Sequence, residues 1–319
     1  MELAIKNADS FESFDEFYGE VLSQLESYTV LCMDTIASYE EHYADICPSM
    51  LMSPTYRHSR ERALDVYSGG AKYNNTSIVG SGLATLVDSL IAVKKLVFEE
   101  KHKSFGELKS ILLANWENEE KLRLMIKAKY PKFGNCQPEA DGIASDVYNR
   151  FADIINNRPN GRGGVFRCGM FSVDWRFWMG AKMGATPDGR LAGEAISKNL
   201  AAAIGQDKRG VTAYLNSLTR LDPVKVPDGY VADVCLHVSA VKGEDGMAAF
   251  EGLLLTFMKK GGFSVHFNIL SPDTLVNAQR EPEKYKNLQI RLCGWNVRFV
   301  ELDKAQQDEF ILQSTNSLV

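Results

Sequence analysis

Residues 261–299 decide the fold, and they have the sequence GGFSVHFNILSPDTLVNAQREPEKYKNLQIRLCGWNVRF. Val265, Phe267 and Ile269 alternate with polar residues, which predicts a strand over Phe263–Leu270. Two short helices and an apolar, strand-like segment with a central glycine are predicted next, at Pro272–Arg280, Pro282–Leu288 and Ile290–Phe299. Alternation of strands and helices indicates βαβ units in a parallel sheet or barrel.

The chain before this stretch is predicted to be largely helical, with two further strand-like segments. Apolar side chains spaced three and four residues apart predict helices over Ser10–Tyr43, from Leu83 onward, and over Ser104–Asn115, Glu117–Tyr130, Ile143–Ile155 and Gly246–Lys259, with a last helix at Lys304–Leu312. The strand-like segments are Val165–Gly180 and Tyr230–Val238. No stretch of linker composition separates two domains.

Composition and charge exclude several classes of protein. The 319 residues contain 36 Lys plus Arg and 41 Asp plus Glu, a formal charge of −5, and 45% of them are apolar. This composition is typical of globular proteins, and a clustered basic excess that would bind nucleic acid is absent. The acidic N-terminus is unlike a secretory signal, and no apolar run reaches the roughly 18 residues of a membrane span, so a cytoplasmic protein is expected. The six cysteines form no CxxC pair, so neither zinc nor disulfides are expected.

Two glycine-containing segments resemble ligand loops only weakly. Gly80-Ser81-Gly82 approximates a dinucleotide fingerprint, but an acidic residue about 20 positions later at the end of a second strand is missing. The arginines and glycines of residues 158–167 could cradle an anion, or could form a solvated loop before a buried strand. His266 is out of phase with the apolar face of its strand, so it lines a cavity, faces solvent or is a satisfied interior histidine.

Gly294 stands in the middle of the apolar segment RLCGWNVRF, residues 291–299. A glycine at such a position usually marks a tight bend or a close approach of two backbones. A rarer use is chemical. A radical at the glycine Cα is stabilised by the adjacent amide nitrogen and carbonyl, and only a residue without Cβ becomes planar there without steric cost. The residues alone leave both uses open.

The segment RLCGWNVRFVELDKAQQDEFI resembles the glycyl-radical signature of the pyruvate formate-lyase family, Arg-Val-x-Gly-Tyr-x-x-x-Phe. Arg291, Gly294 and Phe299 match it, with Leu292 in place of Val and Trp295 in place of Tyr. Further segments resemble the family in the same order and spacing: Gly69–Phe98, Phe166–Ser197, Thr212–Asp222 and Gly261–Leu292. The resemblance therefore extends over nearly the whole chain.

The resemblance implies a fold and a chemistry. The fold would be α/β, the C-terminal part of a ten-stranded α/β barrel at residues 1–260, with a glycine-radical domain at 261–319. A radical-SAM activating enzyme, which uses S-adenosylmethionine and an iron–sulfur cluster, would remove a hydrogen atom from Gly294 at a hairpin tip. No permanently bound cofactor and no metal are expected. The enzyme would cleave a C–C or C–X bond of a small polar metabolite, as a formate acetyltransferase-like enzyme or as a lyase or dehydratase.

The resemblance also suggests where the substrate binds and what else the enzyme needs. Four residues would border the substrate cavity, with barrel packing as the alternative for each: Phe171, Ser172, Asp174 and Trp175. Family members pass the radical to a cysteine in a Gly-Cys loop, and no cysteine of this chain lies in such a context. The expected partners are therefore the activating enzyme, a partner chain or an N-terminal half that carries the thiyl cysteine, and possibly a second copy in a homodimer. A split enzyme, a truncated fragment and a repair subunit remain open.

Overall fold

The computed structural model describes residues 1–7, 9–171, 175–292 and 294–316, and within them the chain is predominantly helical. The α-helices of these residues are α1 Glu2–Asn7, α2 Phe14–Glu40, α3 Tyr43–Ile46, α4 Arg57–Arg62, α5 Leu83–Val93, α6 Phe105–Leu113, α7 Glu120–Lys129, α8 Pro138–Ile155, α9 Arg176–Gly180, α10 Gly210–Leu218, α11 Gly243–Lys259, α12 Pro272–Arg280 and α13 Lys304–Asn316. None of the described helices is long and apolar enough to cross a membrane.

Six strands in the described residues form three pairs. They are β1 Thr76–Val79, β2 Phe166–Gly169, β3 Ala232–Leu236, β4 Val265–Ile269, β5 Gln289–Leu292 and β6 Trp295–Arg298. β1 pairs with β2 in parallel, β3 pairs with β4 in parallel, and β5 and β6 form an antiparallel hairpin. A parallel bridge between Met170 and Tyr230 connects the first two pairs, so β1 to β4 follow one another in chain order. Helices connect successive parallel strands, as the α/β pattern predicted.

Local sequence explains where several helices begin. Ser13 caps α2 by accepting the N–H of Glu16 through its side chain. Ser104 and Glu107 form a reciprocal capping box at the start of α6. Pro138 occupies the first turn of α8, where its missing N–H leaves no intrahelical hydrogen bond unmade. These signals place the α8 start five residues before the predicted Ile143.

Two hydrophobic clusters form the interior. The larger cluster surrounds the almost wholly buried α5 and includes side chains of α2, α8 and the parallel strands. The smaller cluster joins the β5–β6 hairpin to α12 and α13, and its buried members are Leu275, Ala278, Ile290, Leu292, Phe299 and Phe310. The clusters do not follow the predicted boundary, since Val265 and Phe267 pack against the larger cluster and Cys235 against the smaller one. The division into units at residues 1–260 and 261–319 stays a prediction.

Some predicted elements have other forms in the structure. The aromatic segment 165–180 was predicted as one strand. Among its described residues, which exclude 172–174, Phe166–Gly169 form β2 and Arg176–Gly180 form α9. Trp175 and Trp178 are three residues apart, and their rings pack edge to face with centroids 5.5 Å apart, a contact that a helical turn permits. The strand-like segment Ile290–Phe299 is a hairpin, because Gly294 reverses the chain direction.

Candidate functional site

The β5–β6 hairpin presents Gly294 at its tip. Leu292 pairs directly with Trp295, so Gly294 lies where the chain passes from β5 to β6. The feet of the hairpin are buried, since Ile290 and Phe299 are almost inaccessible to solvent, whereas Trp295 beside the glycine is 63% exposed. Cys293 lies outside the described residues.

Gly294 has open space around it and a backbone conformation that favours glycine. Its φ is +93°, in the left-handed region that is strained for residues with a Cβ. A Cβ built on Gly294 meets no atom of the described, non-adjacent residues within 4 Å. Glycine is therefore favoured at this position by its backbone angle and not by crowding from neighbouring atoms.

Asn268 on β4 holds the hairpin in place. Its amide nitrogen donates to the Arg291 carbonyl at 2.8 Å, and its Oδ1 accepts the Arg291 N–H at 2.7 Å. One side chain thereby satisfies both backbone groups of Arg291 in a two-bond clamp. The clamped residue, Arg291, is three positions before Gly294, so the hairpin is fixed to the parallel strands close to its tip.

The two faces of the β3–β4 pair differ in character. One face packs apolar side chains into the main cluster, where Phe250 meets Phe267 with ring centroids 4.9 Å apart. The opposite face carries Asp233 opposite His266 and Cys235 opposite Asn268. Because Asn268 binds the hairpin, this polar face is the one that lies toward the glycine-bearing region.

Asp233 and His266 lie opposite each other on that face. Oδ1 of Asp233 lies 3.6 Å from Nδ1 of His266, and its Oδ2 accepts a 2.8 Å hydrogen bond from Asn199. Burial raises the pKa of Asp233, but nearby Lys198 and His266 outweigh it and hold the pKa below its usual range. Asp233 is thus a buried carboxylate that stays ionised.

Buried charges attach α13 to the same region. Arg176 of α9 donates to Glu309, and both side chains are nearly inaccessible to solvent. Lys198 lies 4.0 Å from Asp233 and 5.1 Å from the ring centroid of Phe310. The helix α13 is therefore held by one buried ion pair and a cation–π contact as well as by apolar packing.

The structure describes two of the four predicted cavity residues. Phe171 directly follows β2 and packs so closely on Gly169 that a Cβ there would lie 2.8 Å from its ring. Trp175 is half exposed at the start of α9. Ser172 and Asp174 lie outside the described residues. The β2 end lies two strands from β4, the strand that clamps the hairpin, so the role of these four residues in substrate binding stays a prediction.

Two of the described cysteines and the weaker loop candidates are packed within the protein. Burial raises the pKa of Cys168 and of Cys235 to about 12, so both remain thiols near neutral pH. Arg162 of the basic loop forms an ion pair with buried Glu40 at 3.0 Å, so it is committed within the protein. A Cβ on Gly80 would collide with Met170, so the nucleotide-like turn is filled by side chains.

Sequence reasoning identified His266 by its phase on the strand but missed Asn268 and Asp233. The same phase could have found Asn268, which follows His266 by two residues and so shares its face. Asp233 alternates with Ala232 and Val234 in the same manner. The ion pair of Arg176 with Glu309 joins residues 133 positions apart and leaves no local sequence signal.

Two family models and several known proteins match this chain. The model for "Pyruvate formate lyase-like" proteins matches residues 1–180, and the "Glycine radical" model matches residues 196–300. Trans-4-hydroxy-L-proline dehydratase of Clostridioides difficile is 31% identical over 97% of this chain and 39% of its own length. (2S)-3-sulfopropanediol dehydratase of Klebsiella oxytoca is 32% identical over 95% of this chain and 37% of its own length.

A solved structure agrees with the sequence comparisons. The glycerol-bound B12-independent glycerol dehydratase from Clostridium butyricum superposes with a TM-score of 0.92 at 31% identity, covering 98% of this chain and 42% of that chain. The chain thus spans about 40% of the length of the relatives it matches. The predicted fold, part of the α/β barrel of these enzymes, is confirmed. The chain belongs to the pyruvate formate lyase-like family of glycyl radical enzymes.

Proposed function

We propose that this chain is the C-terminal, radical-storing portion of a glycyl radical enzyme that eliminates a group from a small polar metabolite. Gly294 would lose one Cα hydrogen atom to an activating enzyme and hold the unpaired electron between turnovers. The radical-SAM chemistry belongs to that partner and not to this chain. The observation that carries the proposal is the position of Gly294 at an uncrowded hairpin tip, which Asn268 clamps at Arg291, three positions earlier.

The reaction class follows from the relatives. Two curated relatives and the solved structure named above are dehydratases, and a further relative with 30% identity is an isethionate sulfite-lyase. These names favour cleavage of a C–X bond over formate acetyl transfer. The extent of the match favours a part of an enzyme over a repair subunit, because it begins at residue 1 and is not confined to the glycine region.

The thiyl cysteine would come from another segment or another chain. In this family, the glycyl radical acts on the substrate through a cysteine of a Gly-Cys loop. No cysteine of this sequence lies in such a context. The buried thiol Cys168 is part of the main hydrophobic cluster, where a substrate has no access. Phe171, Ser172, Asp174 and Trp175 would border the substrate next to that cysteine.

Anaerobic electron paramagnetic resonance tests the role of Gly294. The full chain is incubated with an activating enzyme, S-adenosylmethionine and a reductant. We expect a doublet, which arises from the remaining Cα hydrogen and collapses to a single line when the protein is labelled with Cα-deuterated glycine. Gly294→Ala is expected to lose the signal.

Gly261→Ala is the matched control. Gly261 has a similar φ of +87° and an equally open Cβ position, so it carries the same backbone strain without the proposed radical role. The proposal fails if the folded wild type gives no doublet with an activating enzyme that works on an intact relative. It also fails if Gly294→Ala retains the doublet.

A second experiment tests the requirement for a thiyl cysteine. The activated chain is mixed with a candidate polypeptide that carries a Gly-Cys loop, and substrate loss is followed with and without a Cys→Ala change in that loop. We expect turnover only with the intact loop. Turnover by this chain alone would contradict the proposal that the cysteine is supplied from elsewhere.

A further inference from the structure

Residues 28–56 carry a concentration of exposed apolar side chains. Of the 26 large apolar side chains that are exposed among the described residues, nine lie in this segment, which is less than a tenth of the chain. They are Tyr28, Leu31, Tyr39, Tyr43, Ile46, Met50, Leu51, Met52 and Tyr56. Together they present roughly 1,000 Å² to solvent, whereas the largest apolar patch of a typical monomer is about 300–600 Å². An apolar surface of this size indicates an interface.

One side of α2 forms the first part of this surface. Five exposed, uncharged residues recur along it at intervals of three or four: Tyr28, Leu31, Cys32, Thr35 and Tyr39. Tyr28 follows the buried Val21 by seven residues, so a line of side chains that is buried in the first half of α2 continues exposed in the second half. The two tyrosines are ~16 Å apart along the helix, and the smaller side chains between them leave a shallow depression, which we call the α2 groove.

A fixed turn forms the second part of the surface. Oδ2 of Asp65 accepts the Ser49 N–H at 2.7 Å and the Ser53 hydroxyl at 2.8 Å. The Ser53 N–H also donates to the Ser49 carbonyl at 2.9 Å. The residues between the two serines, Met50–Met52, therefore project from a closed turn, and we call them the knob. Leu51 at its centre is 91% exposed. Because hydrogen bonds already hold the turn, little conformational freedom is lost when a partner covers it.

The knob and the α2 groove are complementary in shape and in the charges beside them. The knob protrudes, and the groove is shallow and uncharged. Asp34 is exposed beside the groove. The helix α4 after the knob contains three arginines and one glutamate, and it begins at Arg57, whose side chain is 79% exposed. Leu51 is too exposed to fill the groove of its own chain, so the two complementary parts can meet only between two copies.

We propose that this surface joins two copies of the chain in a two-fold symmetric dimer. The knob of each copy fills the α2 groove of the other, and Arg57 of each copy approaches Asp34 of the other. The roughly 1,000 Å² of apolar surface on each copy is comparable with the about 800 Å² that each partner contributes to a standard stable interface. The dimer goes beyond the proposed radical chemistry and does not depend on it.

Sedimentation velocity of the full chain at micromolar concentration tests the dimer. We expect the wild type to sediment as a dimer. Leu51→Glu places a charge on the knob and Leu31→Lys places one in the groove, and each should raise the Kd of the dimer at least about hundredfold. Leu113→Glu is the control, because Leu113 is 67% exposed at the end of α6 and Leu31 is 60% exposed. This control should dimerise like the wild type, and circular dichroism checks that all variants fold.

A one-to-one mixture of the knob variant and the groove variant tests whether the contact is reciprocal. Their heterodimer keeps one intact knob and groove, and in its second contact the introduced glutamate faces the introduced lysine. We therefore expect the mixture to dimerise with a Kd within roughly tenfold of the wild-type value, although each variant alone is monomeric.

Four results would overturn the proposal. A monomeric wild type would leave the surface to a different polypeptide. Dimers that persist in the knob and groove variants, or an equal loss in Leu113→Glu, would place the dimer interface elsewhere. Failure of the mixture to dimerise would contradict a contact between the knob of one copy and the groove of the other.

Discussion

The loop at residues 160–164 and the tip of the β5–β6 hairpin both depend on glycine, but for different physical reasons. In the loop, a Cβ on Gly161 would collide with the carbonyl of Ala37, and one on Gly164 would collide with the carbonyl of Asn74. At the hairpin tip, a Cβ on Gly294 would meet no described, non-adjacent atom within 4 Å. Space demands glycine in the loop, whereas only the backbone angle favours it at the tip.

The two regions also differ in how closely other residues surround them. In the loop, buried Glu40 accepts hydrogen bonds from Thr76, the Gly161 N–H and Arg162. At the tip, Trp295 is exposed and the nearest clamp is Asn268. A glycine that packing does not require is a better candidate for a chemical role than one that packing forces. Five predictions test this difference.

The largest effect is expected in the loop. Gly164→Ala would force the Asn74 backbone away and should lower the free energy of unfolding by about 3 kcal/mol or more. Gly163→Ala is the control in the same loop, because its Cβ position is open and its φ of +74° adds strain of only about 1 kcal/mol. Urea denaturation measures both. Equal losses would show that the loop can relax and would weaken the comparison.

Glu40→Gln should have the next largest effect. It keeps the shape of the side chain but leaves Arg162, whose side chain is 16% exposed, without its carboxylate. We expect a loss of about 3 kcal/mol, near the lower end for a broken buried pair. A double-mutant cycle with Arg162→Met checks the cause. Additive losses would contradict a direct interaction of the two charges.

Asp233→Asn tests the polar face near the hairpin through its pH dependence. A carboxylate whose folded pKa lies below the ordinary 3.8 contributes stability above that pH and loses it as the pH falls through the folded pKa. The variant should therefore be less stable than wild type by about 2 kcal/mol at pH 7. The difference should shrink below pH 3.8, as denaturation curves from pH 3 to 8 would show. A difference independent of pH would contradict the ionic explanation.

Asn268→Ala removes both hydrogen bonds to Arg291 and should loosen the hairpin locally. We expect a loss of about 1–2 kcal/mol, read as a roughly tenfold faster hydrogen exchange of the Arg291 amide. Asn296→Ala, which removes only an exposed contact to the Arg291 side chain, is the control. Equal exchange rates in the two variants would mean that the clamp does not hold the tip.

Gly294→Ala should have the smallest effect on stability. The open Cβ position leaves only the strain at a φ of +93°, so we expect a loss of about 1 kcal/mol and a fall in Tm of roughly 2–4 °C. Calorimetry of this variant beside Gly164→Ala gives the comparison directly. A loss as large as that of Gly164→Ala would assign Gly294 a packing role.

Hydrophobic periodicity and turn-forming residues predicted the helices and strands that depend on local sequence. The alternation at Val265, Phe267 and Ile269 identified β4, and the apolar spacing from Leu83 identified α5. The segment 165–180 was predicted as one strand because aromatic residues favour strands. Its second half instead contains a helical turn, in which the ring of Trp175 packs on that of Trp178. The position of Gly294 at a hairpin tip came from the resemblance, since the residues alone also allowed a simple bend.

By itself the sequence determined the α/β class, the family and the residue proposed to store the radical, because these depend on short patterns that a linear chain preserves. Only the tertiary structure decided which groups surround that residue. Asn268 reaches Arg291 across 23 residues, and Arg176 reaches Glu309 across 133. Such contacts join distant positions, and a sequence gives no measure of the distances between them.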